Sequence, residues 1–74
     1  MFPIKKVQSM VGNRIRVEMK GEKNMLEGVL KSVDDYLNLH LTDTMEINNG
    51  ERVRSLGSVV LRGNNIVLLV PVEN

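Results

Sequence analysis

The segment Val33-Asp34-Asp35-Tyr36-Leu37-Asn38 gathers the polar groups best able to act on another molecule. Bond-making chemistry fits it poorly. Catalysis needs an acid, a base or a nucleophile converging on one point. Here there is no Cys, His40 is the only His, and Asp34-Asp35 has no catalytic or metal-binding partner in view. A structural zinc site is nearly excluded on the same ground, since thiolate and imidazole ligands are missing. Binding chemistry fits better. Tyr36 offers a flat ring, and Asn38 offers an amide that both donates and accepts hydrogen bonds. Spaced by two, they share one face of an extended chain. Plainer readings stand beside this one: Tyr36 starts a strand with its hydroxyl in water, Asn38 bonds nearby backbone, and Asp34 closes an Asx-turn.

The elements that would position these groups follow from hydrophobic period. Phe2 to Val11 reads as a short helix, with Pro3 acceptable in its first turn. Ile4, Val7, Met10 and Val11 would face a core, and Gly12-Asn13 ends the helix. From Asn13 the period becomes two. Ile15, Val17 and Met19 alternate with charged residues, which makes a half-buried strand. Gly21 to Asn24 is a turn, and Met25 to Val33 a second strand that Gly28 would bend. After Asp34-Asp35 a third strand is expected over Tyr36 to Ile47, with Leu37, Leu39 and Leu41 on one face. Asn48-Asn49-Gly50 is a hairpin turn signal. A fourth strand over Arg52 to Leu61 carries Gly57 as a second bend. Arg62-Gly63-Asn64-Asn65 turns into a last strand, Ile66 to Val70, closed by Pro71. A helix followed by five short antiparallel strands with two glycine bends is the pattern of a small, strongly bent all-β barrel.

With 74 residues the chain is one domain. A chain this short buries only about 60% of the surface its unfolded form exposes, and domains near that size often need a staple. With disulfides and zinc set aside, oligomerisation is the staple to expect. The last strand agrees. Ile66 to Val70 is apolar on both faces, where an antiparallel strand with one wet face should alternate. A neighbouring subunit would cover the second face, unless the N-terminal helix or the barrel's own curvature does. Left bare, such a strand invites aggregation, which favours a closed assembly. Ten Lys+Arg against nine Asp+Glu give a net charge of +1, far from the basic balance of a non-specific nucleic-acid coat. Met1 to Met10 lacks the apolar core of a signal peptide. The runs Val59–Leu61 and Ile66–Val70 are too short to span a membrane. No membrane partner and a cytoplasmic location are therefore expected, and the absence of Cys is compatible with both.

Two segments, taken together, resemble a known family. Val33-Asp34-Asp35-Tyr36-Leu37-Asn38-Leu39-His40-Leu41-Thr42-Asp43 resembles the end of the Sm1 motif: Asp, any residue, an aromatic or His, an apolar residue, Asn, then alternating apolar positions. Val59-Val60-Leu61-Arg62-Gly63-Asn64-Asn65-Ile66-Val67 resembles the Sm2 motif: an apolar run, Arg-Gly, a polar pair and a second apolar run. Either alone is weak, but both in order on five strands after a helix resemble the Sm-like (LSm) family, and the compact length is most similar to its archaeal members. The resemblance implies a single domain over 1–74, with a helix in 1–12, an Sm1-like segment in 13–47 and an Sm2-like segment in 52–71. It implies a short N-terminal helix and a bent five-stranded SH3-like barrel, the Sm fold. It also implies a homo-oligomeric ring, seven copies favoured over six, in which the fourth strand of one subunit pairs with the fifth of the next.

The resemblance further implies an RNA-binding protein, without cofactor or catalytic step, that takes uridine-rich single strands at the ring pore. Tyr36 would stack on a base, a contact worth roughly 1–3 kcal/mol. Asn38 would meet the O4 acceptor and N3–H donor of uracil; cytosine presents the opposite polarity, although a flipped amide would partly compensate. Asp34 would hold that amide in orientation. Arg62 would stack on the second face of the base and neutralise phosphate. Gly63 would permit a positive φ and let the nucleotide approach the backbone. Asn64 stands where the family often has an acid, so an amide hydrogen bond remains but charge pairing with Arg62 is lost. Lys5 and Lys6 form either a second RNA-contacting face or a solvated one, Arg52 and Arg54 are read as rim charges, and His40 as packed. The rival class is a protein-interaction scaffold with an SH3-like barrel. Proline-rich ligands need an aromatic-lined groove, and with one Tyr, one Phe and no Trp the groove is missing. Within the RNA-binding class, Arg-Gly-Asn-Asn favours the Sm branch over the bacterial Hfq branch.

Overall fold

The computed structural model describes residues 3–73. Helix α1 (Ile4–Gln8) leads into strands β1 (Arg14–Met19), β2 (Met25–Val33), β3 (Leu39–Asn48), β4 (Glu51–Leu61) and β5 (Ile66–Pro71), with one turn of 3-10 helix at Gly63–Asn65 before β5. All pairings are antiparallel, in the order β4-β3-β2-β1-β5. The chain is thus all-β after its helix, as the periodicity requires. In β1 the alternation is complete: Ile15, Val17 and Met19 are buried and Arg14, Arg16 and Glu18 half-buried. Their inward side chains meet Val7 of α1, Leu30, Leu39, Leu41, Leu61 and Leu69 in one core.

Two glycines bend the sheet. Gly28 is buried where the β2–β3 register shifts, and a Cβ there would lie 2.9 Å from both the Thr42 carbonyl oxygen and Thr44 Oγ1. Gly57, at φ +70, faces Thr44 where the β3–β4 register shifts. The consequence is a curled sheet. Leu56 and Leu61 of β4 share one small cavity, about 290 Å³, with Met19 of β1 and Leu26 of β2. The β3–β4 hairpin turns through Asn49 (φ 53) and Gly50 (φ 82), the pair of positive φ values that a type I′ turn demands.

Two boundaries lie well inside the limits that the sequence pattern suggests. The helix stops at Gln8, so Val11 leaves the helical phase and is exposed, while Val7 is fully buried and Met10 packs on the core. Phe2 lies outside the described residues. The third strand begins at Leu39 rather than Tyr36, because Leu37 is left-handed (φ 64) and breaks the extended run. His40 is half-buried, between Ser32 and Val60 on the neighbouring strands.

The sheet order leaves β4 and β5 as its two edges, each unpaired on its outer side among the described residues. Leu69 points into the core, but Val67, Leu68 and Val70 of β5 are 53%, 42% and 36% exposed, and Val60 of β4 is 73% exposed. Neither the described part of the helix nor the barrel's curvature covers this apolar surface. It is a liability in a free chain and a template for strand pairing.

Candidate nucleic-acid interface

The loop between β2 and β3 is built around one carboxylate. Asp34 Oδ1 accepts the backbone N–H groups of Tyr36 and Asn38, each at 2.9 Å, and Asp34 Oδ2 accepts Asn38 Nδ2 at 2.9 Å. Two backbone bonds close the same loop, from Leu37 N to the Asp34 carbonyl at 3.0 Å and from Asp34 N to the Asn38 carbonyl at 3.2 Å. The hydrogen bond from the Asn38 amide, with those from the Asn38 and Tyr36 backbone, holds the Asp34 carboxyl below its ordinary value of 3.8, against a smaller opposing cost of desolvation. The Asx-turn reading and the orienting reading of Asp34 are therefore both correct, and one side chain does both.

The second clamp comes from the connection between β4 and β5. Gly63 N–H donates to Asn38 Oδ1 at 2.9 Å. The two ends of the Asn38 amide are thereby assigned, with Nδ2 on a carboxylate that can only accept and Oδ1 on an N–H that can only donate. Flipping the amide would break both bonds, so its orientation is fixed. One N–H and one lone pair of the amide are left without a partner among the described residues.

Gly63 carries a constraint beyond those its motif position implies. It does not take a positive φ, unlike Gly12, Gly21, Gly50 and Gly57. Instead a Cβ at Gly63 would collide with the Tyr36 carbonyl oxygen and stand 2.8 Å from the carbonyl carbon and oxygen of Leu37. The residue is bare because the two loops touch through their backbones. Gly63→Ala is accordingly expected to push the loops apart and break the Gly63–Asn38 bond. Overpacking against unyielding backbone costs about 1–3 kcal/mol, so a lowered thermal midpoint should accompany lost ligand affinity. An alanine variant with wild-type values of both would show that the loops do not need this approach.

Tyr36, 83% exposed, is not on a strand face shared with Asn38, because Leu37 turns the chain between them. It lines an open groove of about 830 Å³ together with Asn64, Gly63, Asp35, Leu37 and, among others, Ile66 of β5. Arg62 is exposed, just before Gly63, and its guanidinium makes no hydrogen bond or ion pair among the described residues, whereas Arg14, Arg16 and Arg54 are each paired with a carboxylate. The fold thus unites Asp34, Asn38 and Gly63 by hydrogen bonds, sets Tyr36 and Asn64 along one groove, and leaves Arg62 free at its border. Leu37 escaped the sequence reading. The signal was Asp34 itself, whose short carboxylate favours a turn over the start of a strand.

Two loops, one from each sequence motif, thus meet in a doubly pinned amide beside an exposed ring on a bent five-stranded barrel. Residues 5–71 match the LSM domain, and the chain belongs to that family. It is similar over 96% of its length, and 95% of the other chain, to the crystal structure of the Sm-like protein AF-Sm2 from Archaeoglobus fulgidus, at 60% identity and a TM-score of 0.90. It is also similar to the SmAP1 heptamer of P. aerophilum (29% identity, all of both chains, TM-score 0.84). A third likeness is to the Pyrococcus abyssii Sm protein in complex with a uridine heptamer (26% identity, 97% of this chain and all of that one, TM-score 0.84).

Proposed function

We propose that this chain is an RNA-binding subunit of a closed Sm-like ring that takes short uridine-rich single strands at its pore, in RNA processing or ribonucleoprotein assembly. The observation that carries this reading is the doubly pinned Asn38 amide, which presents a donor and an acceptor in the order that uracil O4 and N3–H require. Tyr36 supplies a stacking face, Arg62 a second planar face and a charge for phosphate, and Asn64 a further polar contact at the groove. The likeness to a heptamer and to a protein bound to a uridine heptamer supports it, and so do the two bare edges, β4 and β5. Seven identical copies are the favoured ring, with six as the alternative. No catalytic step or cofactor is assigned. Among the described residues no helix is long and apolar enough to cross a membrane, and we place the ring in the cytoplasm. The 1–74 chain is read as one domain, with its Sm1-like part in 13–47 and its Sm2-like part in 52–71.

Fluorescence anisotropy with oligouridine, oligocytidine and oligoadenosine of equal length tests the reading, alongside native mass spectrometry with and without oligouridine. Oligouridine should bind best, to a species of six or seven chains. Equal affinity for the three, or a stable monomer at micromolar concentration, would refute it; a ring with no RNA affinity would leave the protein-interaction scaffold as the function. Arg62→Lys separates two roles in the same assay. Lysine keeps the charge and loses the plane, so the variant should bind more weakly with nearly the same salt dependence. Unchanged affinity would reduce Arg62 to a phosphate contact.

A further inference from the structure

We infer that Leu37 is a positioning residue for base selection, through a left-handed backbone turn locked by its own side chain; this rests on the base-reading role of Asn38 proposed above. Leu37 is one of only three non-glycine residues at positive φ among those described, and the others, Asp43 and Asn49, are of types that tolerate it. A leucine has no such local compensation, so the surrounding structure must hold it there.

Three contacts do so. The half-buried Leu37 side chain packs against the core that holds Leu39, Leu41 and Val7. Its N–H is tied to the Asp34 carbonyl at 3.0 Å. Its carbonyl lies against Gly63, where even a methyl group would not fit. The result is a chain that reverses its sense between Tyr36 and Asn38. In an extended run those two side chains would share a face, 36 and 38 together, away from Leu37. With the turn at Leu37, Asn38 reaches both Asp34 Oδ2 and Gly63 N–H while Tyr36 stands out in solvent. The core thereby sets the polarity that Asn38 shows to a base. Leu37 also lines the groove beside Tyr36, but it sets the place of Asn38 through the backbone it bends.

The test is the ratio of oligouridine to oligocytidine affinity, because a loss of folded protein alone lowers both affinities together and leaves their ratio unchanged. Leu37→Val keeps an apolar side chain but is β-branched and resists left-handed φ. It should lower the ratio by about tenfold, the scale of one lost bidentate amide contact. Leu37→Met, unbranched and of similar volume, should preserve the ratio. Leu37→Gly adopts the turn without strain but loses the anchor, so it should also lower the ratio; it serves as the readout if the valine variant does not fold. A wild-type ratio in a folded valine or glycine variant would overturn the inference, as would a methionine variant that loses the ratio as fully as valine. Failure of the base-reading proposal looks different, because the wild type itself would then show no preference for uridine.

Discussion

Val70→Asp is expected to dissolve the ring and, with it, tight oligouridine binding, while every residue of the base site stays in place. Val70 lies on the outer edge strand, 36% exposed, and its partner across β1 is Arg16. An aspartate there faces a cation within its own chain, so the free subunit should tolerate it. Leu68 is the harsher choice, because it opposes Glu18, and like charges directly opposite on paired strands destabilise the sheet. At the proposed subunit contact the new carboxylate would be taken out of water beside Arg16 alone, which Glu27 already holds, and the desolvation would exceed what strand pairing repays. A single site holds one base, and each stack contributes only roughly 1–3 kcal/mol, against an association cost of about 4 kcal/mol or more. Joining sites around a pore makes each later base an intramolecular event, raising avidity by about 10²–10⁴. The folded monomer should therefore lose that factor for a long oligouridine while its affinity for a single nucleotide hardly moves. Native mass spectrometry and an anisotropy series in oligouridine length measure both. A folded monomeric variant that binds long oligouridine as tightly as the ring would remove the pore from the mechanism.

The same strand shows how far the sequence can be read. Its doubly apolar pattern announced that something must cover a second face, and the sheet order confirms that nothing among the described residues does. The two glycine bends were legible because glycine inside a strand pattern has few other causes. The Asn-Gly turn was legible because both of its residues need positive φ. The loop at 34–38 was not. Alternation of Leu37 with Leu39 and Leu41 imitates a strand, and only the bonds from the Asp34 carboxylate and the packing of Leu37 decide against it. At Gly63 the positive φ that glycine permits is not used. Its constraint is the backbone of Tyr36 and Leu37, pressed against it from the other loop, and local sequence carries no record of such a neighbour. Asp34, Asn38 and Gly63 were named from their motifs, but that the amide is pinned from both ends is a property of the contact between two loops.

That double pin predicts a selective failure in Asp34→Asn. The new side chain can keep its Oδ1 on the Tyr36 and Asn38 N–H groups, but its Nδ2 then faces Asn38 Nδ2, donor against donor. If Asn38 flips to relieve this, its Nδ2 faces Gly63 N–H, which is again donor against donor. If the new asparagine flips instead, its amide nitrogen meets two backbone donors. No arrangement satisfies all three residues, and the flipped form of Asn38 presents the polarity that cytosine matches. Oligouridine affinity should fall, and the gap to oligocytidine should narrow by about tenfold or more. Glu51→Gln, the same loss of charge on the far β3–β4 turn, is the control. Glu51 is exposed, lies outside the groove and makes no side-chain hydrogen bond among the described residues, so its variant should keep the wild-type preference. Acid should reproduce the effect in the wild type at one end only. The carboxylate is held below 3.8 in the folded chain, so the clamp is intact above the ordinary carboxylate range and is lost as pH falls through that lowered value. Uridine preference should accordingly persist down to about pH 4. Competition anisotropy with the two homopolymers reads all of these. A wild-type uridine-to-cytidine ratio in a folded Asp34→Asn ring would mean that Asn38 is oriented by something other than the carboxylate beside it.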